Sequence, residues 1–164
     1  MKKINFLIKL KKKGVLESVE PSKDIAGSYL EKAWSNLESS RILFGAEKFE
    51  ESVSLSYYSM YSSILALFFS CGIKCENHSA GIIILREIFQ EVELFEDISF
   101  AKKERIDKQY YFDFHLTKEQ AIEMIKRAEE FINRVEVVIK NLSSEKVIEI
   151  MKKFQEVIDE TKNN

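Results

Sequence analysis

With one proline and five glycines among 164 residues, the chain has few of the residues that punctuate turns and strands. Apolar and charged residues alternate at spacings of three and four over long stretches, which predicts an all-α protein and no strand pattern. Cysteine is as scarce. Cys71 and Cys75 lie four residues apart on or just beyond one helix, so a long-loop disulfide is not expected and a reducing cytoplasm is the natural setting. Charge of one sign is lacking too: a net charge of −2 with 32% charged residues excludes a dedicated polyanion coat or an acidic tail, and makes any polyanion contact local. The chain has no glycine-rich phosphate loop, no Ser-His-Asp ordering in a supporting context and no paired carboxylates placed for acid/base work.

What is present begins with a basic N-terminus, MKKINFLIKLKKKG. It lacks the continuous apolar stretch and small-residue cleavage site of a signal peptide. Its six lysines within thirteen residues suit either a few phosphate contacts or a solvated helix face. From Ser52 to Ile73 the sequence is uncharged, long enough to cross the ~30 Å core of a bilayer. That run holds seven serines and three tyrosines, however, each costly in hydrocarbon, and its flanks carry Glu47, Glu50 and Glu51 beside Lys48. The expectation is therefore no membrane span, but a helix buried on nearly all sides at the centre of a bundle.

The elements follow in order. Residues 1–21 form a basic N-terminal segment, with a short helix through Ile4, Leu7 and Ile8 and a turn at Gly14. Pro21, Ser22 and Asp24 start a helix running to about Ala46, with Ile25, Tyr29, Ala33, Leu37 and Leu43 close to one face. The buried helix runs from about Glu50 to Cys71 and ends at Gly72. IKCENH is expected to be a loop, after which Asn77 or Ser79 caps a helix over roughly 79–90 with Ile82, Ile83, Leu85, Ile88 and Phe89 inward. A short helix over about Ser99 to Phe112 precedes a long one opened by the capping box Thr117–Gln120, with Ile122, Ile125, Ala128, Ile132, Val135 and Ile139 on its period. Ser143 or Ser144 caps the last amphipathic helix, residues 143–164, which lies outside a bundle of residues 22–142.

His78 is the candidate for chemistry, because an imidazole titrating near pH 7 can take a proton from a ribose 2′-hydroxyl or return one to a leaving 5′-oxygen. It needs a fixed cation at the phosphoryl oxygens, from Arg105 or Lys74 elsewhere in the fold or from a second protomer. The competing reading is a histidine at a helix start that hydrogen-bonds locally. Tyr57, Tyr58 and Tyr61 could stack a nucleobase, although tyrosines on a central helix are more often core residues whose hydroxyls reach a partner. Lys74, Asn77 and Tyr110 complete the set expected around a ligand. Cys71, Cys75 and His78 have a C-x3-C-x2-H spacing but lack a fourth ligand, so no metal is expected and two small buried cysteines are the simpler account.

Several segments taken in order carry a resemblance. SYLEKAWSNLESSRIL is followed by FEESVSLSYYSMYSSILALFFSCG, a loop ending in NHSAGI, then RIDKQYY and TKEQAIEMIKRAEEFINRVEVVI. The order resembles the HEPN domains of prokaryotes, in particular archaeal members with a tyrosine pair in the second helix, over roughly residues 22–142. The resemblance implies an antiparallel four- to five-helix bundle, often dimeric, in systems that act on RNA or nucleotides. Many such domains are metal-independent ribonucleases with an arginine and a histidine separated by four to six residues. Others lack that motif and act as binding modules or as partners of a small nucleotidyltransferase in toxin–antitoxin pairs.

This sequence departs from the catalytic pattern, since Cys71, Gly72 and Ile73 stand where His78 would need its arginine. For His115 the matching positions include Tyr110, and Arg105 is ten residues away. Lys74 lacks the bidentate fork with which arginine holds a phosphate. The expected function is thus a cytoplasmic, homodimeric HEPN-like module, without cofactor, that binds RNA, a nucleotide or a partner nucleotidyltransferase, in a toxin–antitoxin or stress-defence system. The alternatives are an endoribonuclease with His78 as general acid/base, and a structural protein that assembles through its last helix.

Overall fold

A computed structural model describes the backbone of residues 2–110 and 116–159 and the side chains of 3–105 and 116–159. The elements in chain order are α1 (Lys2–Lys12), β1 (Leu16–Ser18), α2 (Lys23–Gly45), α3 (Phe49–Ser70), β2 (Ile73–Cys75), α4 (His78–Glu87), α5 (Val92–Tyr110), α6 (Lys118–Lys140) and α7 (Ser144–Asp159). The described residues are all-α, as the composition predicts, apart from one pair of three-residue strands.

Helix α3 is the axis of the molecule, packed on α2, α4, α5, α6 and β2. A helix apolar all round has no face for water, and from Val53 to Phe68 most of its side chains are buried. Its serines are accommodated in two ways. Ser59 and Ser63 donate back to carbonyls three residues earlier, Ser56 and Met60, each at 2.7 Å. Ser52 and Ser56 meet Ser40 of α2, whose Oγ lies 2.7 Å from the Ser52 carbonyl, 3.0 Å from Ser52 Oγ and 2.8 Å from Ser56 Oγ. Polar residues of the uncharged run thereby become a bond between helices. No helix among the described residues is long and apolar enough to cross a membrane.

The helix starts follow the sequence signals. Ser22 caps α2 by accepting from Ile25 N, Asn77 caps α4 by accepting from Ala80 N, and Thr117 and Gln120 form the reciprocal box of α6. Some facing differs from the expected stripes: Ile25 and Ile122 are 43% and 40% exposed, because the buried face of α2 runs through Ala26, Ala33, Leu37 and Ser40 and that of α6 through Ala121, Met124, Ile125 and Ala128. Helix α5 begins at Val92, seven residues before the expected Ser99, since an apolar phase through Leu94, Ile98 and Ala101 is already buried there.

The segment expected as a loop, IKCENH, opens instead with β2, which pairs antiparallel with β1 in the register Leu16↔Cys75, Glu17↔Lys74 and Ser18↔Ile73. Three residues are too few for an alternating pattern to stand out, and pairing supplied what local sequence could not. Gly72 makes the turn from α3 into β2 with φ +69, and a Cβ there would come to 2.5 Å from the Val19 carbonyl oxygen. The N-terminal helix α1 packs on α7, with Leu7 of α1 and Phe154 and Ile158 of α7 in the common core.

Candidate functional site

Tyr57 and Tyr61 are one helical turn apart on α3 and so share a face, while Tyr58 is rotated toward α5. Helix α4 begins at His78, held in place by the Asn77 cap at its own start (2.9 Å to Ala80 N) and by the Cys75 thiol, which donates to the Asn77 carbonyl at 3.3 Å. The close approach of α4 to α3 depends on Gly81, where a Cβ would lie 2.8 Å from the Tyr61 hydroxyl.

These elements bring His78 onto the tyrosines. Its ring stacks on Tyr61 with centroids 3.8 Å apart and planes 10° from parallel, and stands edge-on to Tyr58 at 6.1 Å. The Tyr57 hydroxyl lies 2.6 Å from His78 Nδ1. Burial pushes the Tyr57 phenol well above its ordinary range, so it keeps its proton. With that phenol donating to Nδ1, the neutral imidazole carries its own proton on Nε2. Burial lowers the pKa of His78, and the charges of Arg105 and Lys102 lower it further.

Helix α5 supplies the cations. Arg105 Nη1 donates to the Tyr58 hydroxyl at 2.6 Å, and its guanidinium carbon lies 5.0 Å from the Tyr57 ring centroid and 5.2 Å from that of Tyr58. Among the described residues, Arg105 Nε is buried and without a partner. Lys102, one turn earlier, donates to Ser79 Oγ at 2.6 Å, and burial together with Arg105 lowers its pKa. A cavity of about 310 Å³ opens beside Arg105, lined also by Glu50, Glu51, Ser54 and Leu116. That is at the lower end of small-molecule sites. A larger cleft, about 650 Å³, lies at Val92, Arg134 and Val137, away from the tyrosines and His78.

Of the residues singled out from sequence, Tyr57, Tyr58, Tyr61, His78 and Arg105 come together in one cluster. His78 is half-buried. Tyr57 and Tyr61 are core residues, 0% and 5% exposed, and Tyr58, at 38%, is the one open to a ligand. The Tyr61 hydroxyl lies against the Cys75 thiol without a hydrogen bond of normal geometry. Lys74 is placed with carboxylates, 3.3 Å from Glu17 and 3.2 Å from Glu76, whose bonds and charge raise its pKa. Asn77 spends its side-chain oxygen on the helix cap. Tyr110 closes α5, but its side chain lies outside the described residues, as do Tyr111 and His115. Among the described residues no three of His, Cys, Asp and Glu converge as metal ligands.

Sequence reasoning missed Lys102 and Ser79. The spacing of Lys102 and Arg105, three residues apart on a helix, is the signal that puts both cations on one face.

The HEPN domain family model matches residues 26–138. A protein of Methanocaldococcus jannaschii named "Putative toxin MJ0142" is similar over 110 residues at 31% identity, spanning 64% of this chain and 75% of that protein.

Proposed function

This chain belongs to the HEPN domain family, and from that premise we propose that it is a toxin-type module whose site engages the phosphate of RNA or of a nucleotide. The observation that carries the reading is the convergence of the Arg105 guanidinium and His78 on the Tyr57–Tyr58 pair. Neither histidine has its arginine at the family's usual spacing. Arg105 reaches the His78 cluster through the fold instead, from α5. Its planar fork suits a phosphoryl group, Lys102 adds a second charge nearby, and Tyr58 offers a partly open ring on which a base can stack.

Metal-independent cleavage is the second reading, favoured by the hydrogen bond at His78 Nδ1. Taking the 2′-hydroxyl proton requires the neutral tautomer in which Nδ1–H donates to the Tyr57 hydroxyl and Nε2 accepts. The imidazolium so formed keeps its Nδ1–H on Tyr57 and can return the Nε2 proton to the leaving 5′-oxygen, while Arg105 would balance charge on the phosphoryl oxygens. A homodimer, a cytoplasmic setting and neutralisation by an antitoxin-type partner, such as a small nucleotidyltransferase, complete the proposal. The toxin name of the similar protein supports the last of these.

Incubation of mixed single-stranded RNA with the protein in EDTA, beside His78→Ala and Arg105→Ala, tests both readings. Fragments from the wild type alone establish cleavage. Intact RNA that is retained by the wild type and released by Arg105→Ala establishes binding alone. RNA neither retained nor cut by the wild type rejects the proposal for RNA and leaves nucleotides to be tried by the same pair of variants.

A further inference from the structure

The family match ends at residues 26 and 138, yet the segments beyond both limits close on the element that carries His78. At its N-terminal end, α4 is reached from β2 through Glu76 and Asn77 alone. Strand β1 holds β2 by its register, by Glu76 N donating to the Val15 carbonyl at 2.9 Å, and by Val19 N donating to the Gly72 carbonyl at 2.9 Å. Gly72 is the tightest point: a Cβ there would meet the Val19 oxygen at 2.5 Å, Pro21 Cδ at 3.2 Å and Met151 Cε of α7 at 3.3 Å. N-terminal segment, α3 and C-terminal helix therefore meet at one residue.

The other end of α4 is held by the same two segments. Lys153 of α7 donates to the Ile88 carbonyl at 3.3 Å, and Lys3 of α1 lies 3.6 Å from Glu87. The segments also hold each other, through Lys11 with Asp159 and through Ser18 Oγ with Gln155 Oε1 at 2.8 Å. Each surface ion pair is individually weak. The combined geometry grips a ten-residue helix at both ends, and the glycine contact at position 81 leaves α4 little room to slide against Tyr61.

We propose that the two terminal segments act together as a brace that sets where His78 stands against Tyr57 and Tyr61, making Val19 and Lys153 positioning residues of the site. The inference rests on the reading of His78 as a site residue, but not on what the site binds. A shift of α4 along its axis by a fraction of its 1.5 Å rise per residue would open the 2.6 Å bond to Tyr57 and slide the imidazole off the Tyr61 ring. The brace thereby makes the geometry at His78 depend on the segments that flank the family match.

Proton NMR of the histidine ring signals tests this, with His78 assigned by its loss in His78→Gln. In the wild type, stacking on Tyr61 moves the ring protons of His78 upfield. Val19→Pro removes one strand hydrogen bond and Lys153→Met removes the hold on Ile88. Trp34→Phe is the control, because it breaks the 2.7 Å bond to Glu136 on the α2–α6 side. In folded Val19→Pro and Lys153→Met the His78 signals are expected to move downfield and its titration midpoint to rise toward the free value of about 6.5, while Trp34→Phe leaves both in place. Should Val19→Pro fail to fold, Lys153→Met decides. Unmoved His78 signals in the folded brace variants, or an equal shift in Trp34→Phe, overturn the proposal. RNA or nucleotide binding by the wild type is scored separately, so an inert site rejects the functional reading and leaves the brace result standing.

Discussion

The phenol of Tyr57 and Nδ1 of His78 stand 2.6 Å apart, joining the middle of the most buried helix to the first residue of α4. The bond fixes the ring orientation of a histidine that Tyr61 already covers on one face. The neutral form of that histidine is favoured by burial first and then by the charges of Arg105 and Lys102.

Tyr57→Phe keeps the aromatic ring and removes the donor. The ring-proton signals of His78 should shift, because the imidazole loses its partner at Nδ1. Stability should fall by about 1 kcal/mol, the usual net worth of one hydrogen bond. Proton NMR and urea unfolding report the two effects.

Stability should also depend on pH through His78. Its pKa is lowered in the folded protein, by burial first and then by Arg105 and Lys102. The unfolded chain therefore binds more protons as pH falls, and stability present above about pH 6.5 is lost as pH descends through the folded pKa. Urea midpoints measured across that range should slope less in His78→Gln than in the wild type.

Ser40 ties α2 to α3 through three contacts, with Ser52 O, Ser52 Oγ and Ser56 Oγ. Ser40→Ala leaves buried oxygens short of a partner and should cost about 2 kcal/mol. Restoring a hydroxyl with Ser40→Thr should not recover the whole loss, because the added methyl enters a site that is 0% exposed. Chemical denaturation of the two variants checks the order.

Asp97 links α5 to α6 by meeting both Arg127 and Arg134, the first at 2.7 Å, with its side chain only 18% exposed. Asp97→Ala should destabilise by about 2 kcal/mol, less than a fully buried pair because both arginines keep partial access to water. A cycle with Arg134→Ala should show the two losses to be less than additive.

Much of the fold was legible because it rests on strong local signals. The absence of turn residues, the uncharged run and the caps at Ser22, Asn77 and Thr117 all act within a few positions of the chain. The pairing of Leu16 with Cys75 was not legible, since a three-residue strand carries too short a pattern and its partner is supplied by tertiary folding. The site divides in the same way. His78 and the tyrosines stand out by residue type, whereas the arrival of Arg105 over Tyr57 and of Lys102 at Ser79 depends on how α5 docks against α3 and α4. No spacing rule along the chain contains that docking.

In the proposed function Arg105 holds phosphate at the His78 cluster. Its most direct test is the salt dependence of single-stranded RNA binding by the wild type, by Arg105→Ala and by Lys126→Ala, an exposed cation on α6. Arg105→Ala is expected to lose at least about tenfold in affinity, with the log–log salt slope shallower by about 0.7, the figure for one phosphate contact on a single strand. Lys126→Ala should match the wild type. Equal affinities and equal slopes for all three proteins would contradict it.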